Sequence, residues 1–421
     1  MTVSDNIAFA GAFNLSIGDI TIDENVYWSI WDNENSILTG SLDVLTGGGF
    51  YISTDSSMDR MTIQLPGVNQ SVDNSGTISF STLNSSTVAK FSVTGASINN
   101  SGHLFMLANG SSGTPVMYVT STTWINTGFM TFYQDVKSLQ GVISIGEDRG
   151  TIVNNGDICI YNGVYPQLSA INGTGCIHIQ RDSTVLLYAP LLPVSSGQTF
   201  FMEDSGSQIV GSTVTALQTY TVAGFGGGNV IGTNVPILSF DYDSTSGILT
   251  LHTGVMDLIP QRYNIGLGYD PNGFSRISVP FPSVSNPKNN GITYSSATPN
   301  NTMPYNCRVC VPIPEAPSAT STMVSSSFGL SFTATPSGSL VSSNAVVTST
   351  SKASSSISES IATGASDSVA LKSETAPSSL VESSSSAKSS STQVSSNAAA
   401  FYGNMGGSFN YLLSVYFLLA S

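Results

Sequence analysis

Cysteine, histidine and carboxylate side chains are where chemistry could begin in this chain, and they are few and scattered. Four cysteines are present: Cys159, Cys176, Cys307 and Cys310. The pair in "CRVCVPIPEAP" has the two-residue gap of a zinc ligand pair. A tetrahedral zinc site needs two more ligands at close spacing, however, and a whole strand unit separates Cys159 from Cys176. Two disulfides are therefore expected, each of Cys307 and Cys310 clasping one of Cys159 and Cys176 and tying the end of the folded region to its middle. The connectivity stays open. The histidines, His103, His178 and His252, fall in strand-like alternation and read as facing residues of a sheet rather than catalysts. Asp43, Asp73, Asp135 and Asp157 come singly on separate repeats, whereas glycan cleavage needs clustered carboxylates. "GEDRG", residues 146–150, is a compact charged group and reads as an exposed loop. Asp241 and Asp243 could open a calcium loop, but the sixth and twelfth positions are then Ser246 and His252, where an EF-hand needs Gly and an acidic residue. A hairpin turn is expected there. With no G-x-S-x-G elbow, H-E-x-x-H pair or phosphate-binding loop, the expectation is no enzyme, no cofactor and no metal.

Tyr27, Trp28 and Trp31 are the remaining residues that could meet a ligand, as a stacking platform for sugar rings. The reading favoured here is that they cap the first coil of a repeat structure.

The elements that must position these side chains are legible as repeats. "IDENVYWSI", "LTGGGFYIS", "VDNSGTISF", "INNSGHLFML", "INTGFMTFY", "VNNGDICIY" and "INGTGCIHI" each join a turn signal to alternating apolar residues. The turn positions Asn25, Gly49, Gly76, Gly102, Gly128, Gly156 and Gly175 recur at about 19 to 28 residues, near one coil of a parallel β-helix. A single coil cannot bury its own apolar face, but stacked coils share a core. Asn and Gly are expected to supply positive φ at the corners, with Val, Ile, Phe, Tyr and Thr in the strands between. An antiparallel sandwich is the alternative. After about Thr221 the period breaks, and "DYDSTSGILTL" with "YNIGLGYDPNGFSRISV" reads as an antiparallel, sandwich-like cap. The expected fold is all-β: a parallel β-helix over residues 1–220 and the cap over 221–316.

Composition sets the compartment. Charged residues make up 9% of the chain, against roughly 25% in ordinary soluble domains, and the net charge of −14 without a basic cluster argues against nucleic acid as a partner. From about Ser318 to Asn397 about half the residues are Ser or Thr, so residues 317–397 read as a disordered, O-glycosylated stalk. The chain then ends in "GGSFNYLLSVYFLLAS", whose apolar run falls short of the ~20 helical residues that span a bilayer. Small residues at Asn397, Ala398 and Ala399, then a polar spacer, give the layout of a GPI-attachment signal over 398–421, with Asn397 as the ω site. Such a chain needs a secretion signal, yet "MTVSDNIAFAGAFNLSIGD" has no basic n-region, so the true start is expected upstream. N-glycosylation sequons begin at Asn14, Asn69, Asn84, Asn99, Asn109, Asn172 and Asn300.

Taken in order, "GDITIDENVYWSI", "GGGFYIST", "GTGCIHI", "DYDSTSGILTL" and "IGLGYDPNGF" resemble the N-terminal domain of the hyphally regulated cell wall proteins, the Hyr/Iff-type adhesin-like proteins of yeasts, over about residues 10–315. The resemblance implies a right-handed β-helix followed by a small β-sandwich, displayed on a stalk. It also implies an extracellular place in the cell wall, held to wall glucan through a GPI remnant and touching membrane only through the lipid anchor. The function implied is adhesion, biofilm formation or host interaction through an undefined host, cell or abiotic-surface ligand. A purely structural wall mannoprotein and a polysaccharide-active enzyme on the same scaffold are the alternatives. Two features depart from the family: the secretion signal is absent, and the stalk is short.

Overall fold

The computed structural model describes residues 1–11, 18–138, 141–187, 192–212, 218–253, 260–281, 284, 287–299 and 302–318. The expected stalk beyond Ser318, the tail, Asn397, and the sequons at Asn14 and Asn300 lie outside the described residues.

The chain coils into a parallel β-solenoid whose longest sheet has thirteen strands. In chain order these are β1 (Ile7–Ala10), β2 (Tyr27–Trp31), β3 (Gly49–Ser53), β4 (Thr77–Ser81), β5 (His103–Ala108), β6 (Phe129–Gln134), β7 (Asp157–Tyr161), β8 (Cys176–Gln180), β9 (Thr199–Met202), β10 (Thr219–Ala223), β11 (Ile237–Asp243), β12 (Ile248–Thr253) and β13 (Gln261–Asn264). Strands β1 to β10 pair in sequence order and in parallel, and an eleven-stranded and a six-stranded sheet supply the other faces.

Register explains the core. Trp28 stands opposite Ile7 and Phe50, and the same column continues through Ile78, Leu104, Met130, Ile158, Ile177 and Phe200 to Val222. All of these are buried. Because side chains alternate across a strand, fixing one apolar column inward sends its neighbours outward. Trp28, with no exposed surface, lies inside the stack with its ring 5.5 Å from that of Phe50. It therefore cannot serve as an exposed sugar platform.

The corners correct one expectation. Gly76, Gly102, Gly128, Gly156 and Gly175 are absent from the positive-φ residues, whereas Asn25 does have φ 59°. These glycines are required by close approach instead. A Cβ on Gly102 would lie 2.1 Å from the carbonyl oxygen of Gly76, and one on Gly128 2.1 Å from that of Gly102. Each carbonyl accepts from the residue after the next glycine, His103 N to Gly76 O at 2.8 Å and Phe129 N to Gly102 O at 2.9 Å. Beside this glycine column runs a buried asparagine ladder. Asn74 donates to Asn100 at 2.7 Å, Asn100 to Asn126 at 2.7 Å and Asn126 to Asn154 at 2.8 Å, across 26, 26 and 28 residues. Asn154 then donates to Gln198 at 3.1 Å. Gly102→Ala should cost ~1–3 kcal/mol through forced separation of two coils, read as a shifted urea midpoint; an unchanged midpoint would contradict the close approach.

The parallel ladder does not stop at the expected 220/221 boundary, because β10 and Val230–Thr233 still pair in parallel with the coil before them. On the long sheet β13 still joins β10 in parallel, and antiparallel pairs then extend two of the sheets: β13 with β12 and β12 with β11 on the long sheet, and Val230–Thr233 with Gly291–Tyr294 and Gly291–Tyr294 with Phe274–Ile277 on the six-stranded one. Phe240 and Tyr242 from the first set meet Phe274 from the second at ring separations of 6.1 and 5.4 Å. Tyr269 and Tyr294 join them in one aromatic cluster. The β11–β12 connection is a hairpin turn. Asp243 accepts from Thr245 N, Thr245 Oγ1 and Ser246 Oγ at 2.6–2.9 Å, and these bonds hold its carboxyl down to about 2. Its oxygens are thus spent on the turn, and the Asp241 carboxylate pairs with His252 at 2.9 Å.

Candidate functional site

Beyond the last strand, residues 302–318 form a strap that runs back along the outer face of the long sheet. At its start, Asn306 Nδ2 donates to Thr174 O, Gly175 O and Gly197 O at 3.1–3.2 Å and to Thr199 Oγ1 at 3.0 Å. Cys307 is bonded to Cys176 on β8 and Cys310 to Cys159 on β7. Val311 then packs beside Phe105, Leu107 and Tyr133 on β5 and β6. Finally Pro317 O accepts from Ser29 Oγ and Trp31 Nε1 on β2, each at 2.7 Å. The strap thus travels from the late coils to the early ones, opposite to the direction in which the coils are laid down.

Under it lies a cluster of ionisable groups. His178 is fully buried, with Nε2 3.0 Å from Asp157 Oδ1 and Nδ1 2.5 Å from Glu203 Oε1. Asp157, itself buried, also accepts from Arg308 Nε at 2.6 Å and from Arg308 N at 2.9 Å. The Arg308 guanidinium donates to Thr127 O and Gly128 O and sits 4.3 Å from the centre of the Phe129 ring. Burial alone would push the Asp157 carboxyl up, but its bonds from His178 and Arg308 outweigh burial and hold it below the usual carboxylate range. Burial likewise disfavours the His178 imidazolium, yet Asp157 and Glu203 outweigh it and its pKa lies above the ordinary histidine value. His178 and Asp157 thus form the buried centre of the network, and Glu203 and Arg308 join it from the solvent side. Such an arrangement fixes a strap more readily than it transfers a proton, because each carboxylate is already engaged by a partner.

His178 also lies within 4.8 Å of two cysteine pairs, Cys159 with Cys310 and Cys176 with Cys307. With all four sulfurs in disulfides, no thiolate is left to ligate a metal.

Other residues singled out by sequence fall elsewhere. His103 is half-buried, its pKa lowered first by burial and then by nearby Arg308. Asp43 and Asp73, expected to stand alone, face each other in register on adjacent coils, and burial together with Asp73 raises the Asp43 pKa. Asp135 accepts from Tyr133 OH. Tyr27 is half-buried, and Trp31 lies beneath Pro317. Asn69, Asn84, Asn99 and Asn172 are exposed, while Asn109 donates its amide to Leu83 O at 3.0 Å. Glu203 and Arg308 were not singled out from sequence. Arg308 carried one signal, its place between the two cysteines of "CRVC". Glu203 carried none, since its role arises only from the register that sets β9 beside β8.

The fold and the clasp together define a disulfide-strapped parallel β-solenoid. The chain belongs to the family of the hyphally regulated cell wall proteins: the description "Hyphally regulated cell wall protein N-terminal" matches residues 1–317. Among its relatives in Candida albicans are cell wall protein IFF9, 36% identical over 76% of this chain and 34% of its own length, and cell wall protein RBR3, 36% identical over 75% of this chain and 20% of its own. Hyphally regulated cell wall protein 3 is 33% identical over 75% of this chain and 26% of its own length. The chain thus matches between 20% and 34% of the length of these relatives.

Proposed function

We propose that this chain is a cell-surface protein of a fungal wall that acts as an adhesin, with the solenoid as the contact domain and the Ser/Thr-rich segment as its tether, held by a GPI anchor at Asn397. The observation that carries the reading is the strap: two disulfides and the Arg308–Asp157 ion pair pin residues 302–318 to the solenoid, so force on the following segment is borne by covalent bonds between the strap and β7 and β8. The family names of the relatives support the wall location. In this reading the chain is not an enzyme, and the Asp157–His178–Glu203 cluster, whose Asp157 and His178 are buried, serves structure.

The test is display of the full chain on a non-adherent yeast, with attachment to epithelial cells, plastic and sister cells scored beside a screen for sugar release. Attachment severalfold above the parent strain, without sugar release, is expected. Sugar release without attachment would overturn the reading in favour of the enzyme.

A further inference from the structure

At the late end of the solenoid, between the end of β10, the end of β13 and the beginning of the strap, lies a cleft of about 450 Å³. Thr221, Asn264, Leu267, Thr298, Met303 and Tyr305 are among its lining residues. Among the described residues its lining contains no Lys, Arg, Asp, Glu or His, in a chain whose net charge is −14. Tyr305 is 99% exposed and Leu267 58%, an unusual state for an aromatic held on a rigid backbone. Rigid it is, because the next two residues are Asn306, with its four donor contacts, and Cys307, bonded to Cys176. The Tyr305 backbone is therefore held in place, with its ring open to solvent at the cleft.

We propose that this cleft binds a neutral saccharide. A pyranose offers an apolar C–H face, which stacks on an exposed aromatic, and a rim of uncharged hydroxyls, which pair with hydroxyl and amide groups such as those of Thr221, Thr298 and Asn264. Phosphorylated sugars, uronates and nucleotides are held best by a cation, and none is among the described lining residues. The volume falls within the range of small-molecule clefts, ~300–1,000 Å³. The strap's direction adds an independent argument. It carries the chain from this cleft to β2, so Pro317 lies against the early coils while the cleft stands at the other end of the solenoid. This inference deepens the adhesin reading by giving it a ligand class.

The experiment is saturation-transfer NMR on the full chain carrying Asn300→Gln, so that a glycan at that sequon cannot fill the cleft. The probes are α-mannotriose and laminaritriose, with trigalacturonate and mannose 6-phosphate as charged comparisons. Binding of at least one neutral trisaccharide is expected, with at least tenfold weakening by Tyr305→Ala, little change in Tyr305→Phe, and no change in Val309→Ala, which alters an exposed strap residue outside the lining. Absence of transfer to both neutral sugars at millimolar concentration, binding indifferent to Tyr305→Ala, or preference for a charged sugar would each overturn the proposal. Cell attachment that persists without sugar binding refutes the cleft and leaves the adhesin reading intact; sugar binding by a chain that confers no attachment does the reverse.

Discussion

Asp157→Ala should destabilise the folded chain by about 3–5 kcal/mol, since it strips a buried His178 and an adjacent Arg308 of their shared carboxylate. Asp157 has no exposed surface and holds both groups at 2.6–3.0 Å. Arg308 is half-exposed and regains water, so most of the loss comes from His178. Urea unfolding gives the value, and a loss under ~1 kcal/mol would mean that the network is not a fastener. The same groups set a pH window. The raised His178 pKa makes its contribution complete below its unfolded value, near 6.5, and lost as pH rises through the higher folded value. The lowered Asp157 pKa makes its contribution complete above its unfolded value, near 3.8, and lost as pH falls through the lower folded one. Greatest stability of the clasp is thus expected at mildly acidic pH, between those limits, and His178→Gln should flatten the alkaline limb.

Removing the two disulfides should cost still more, and unevenly. Their sequence separations, 151 and 131 residues, differ by only 20, so one bond leaves the other a short loop to close. In a chain-entropy treatment the first bond cut then costs about 3 kcal/mol and the second about 5 kcal/mol more. Thermal melts of Cys176→Ala/Cys307→Ala, of Cys159→Ala/Cys310→Ala and of the quadruple variant should show two modest shifts and one large, more-than-additive one. The quadruple variant should also expose residues 302–318 to protease while the coils resist it. Equal and additive shifts would mean that the two bonds close independent loops.

The coils were legible because their signal is local. Seven turn-and-strand segments from Asn25 to Gly175 announce a period, and the alternation around Trp28, Phe50 and Ile78 assigns the inward face. The reason for the glycines was not legible, because the clash at Gly102 involves a carbonyl 26 residues back in the chain and no local φ. The asparagine ladder was present in plain letters, in "DNSG", "NNSG", "NTG" and "VNNG". It gains meaning only when the coils stack and Asn100 stands between Asn74 and Asn126. At the clasp, spacing indicated that Cys307 and Cys310 reach Cys159 and Cys176. It could not say which meets which, since that depends on the direction of the strap in space. Asp157, His178, Glu203 and Arg308 come from four separate stretches and meet only through register and the return of the strap. Asp43 and Asp73, read as isolated, were brought together in the same way.

The direction of the strap underlies both the tether and the presentation of the far end, and disulfide mapping decides it. Mass spectrometry of a non-reduced proteolytic digest should find Cys159 linked to Cys310 and Cys176 linked to Cys307, which sends the chain from β8 toward β7 and the early coils. Cys159 linked to Cys307 with Cys176 linked to Cys310 would run the strap the other way, and a Cys307–Cys310 bond would leave it unclasped; either result would contradict the account.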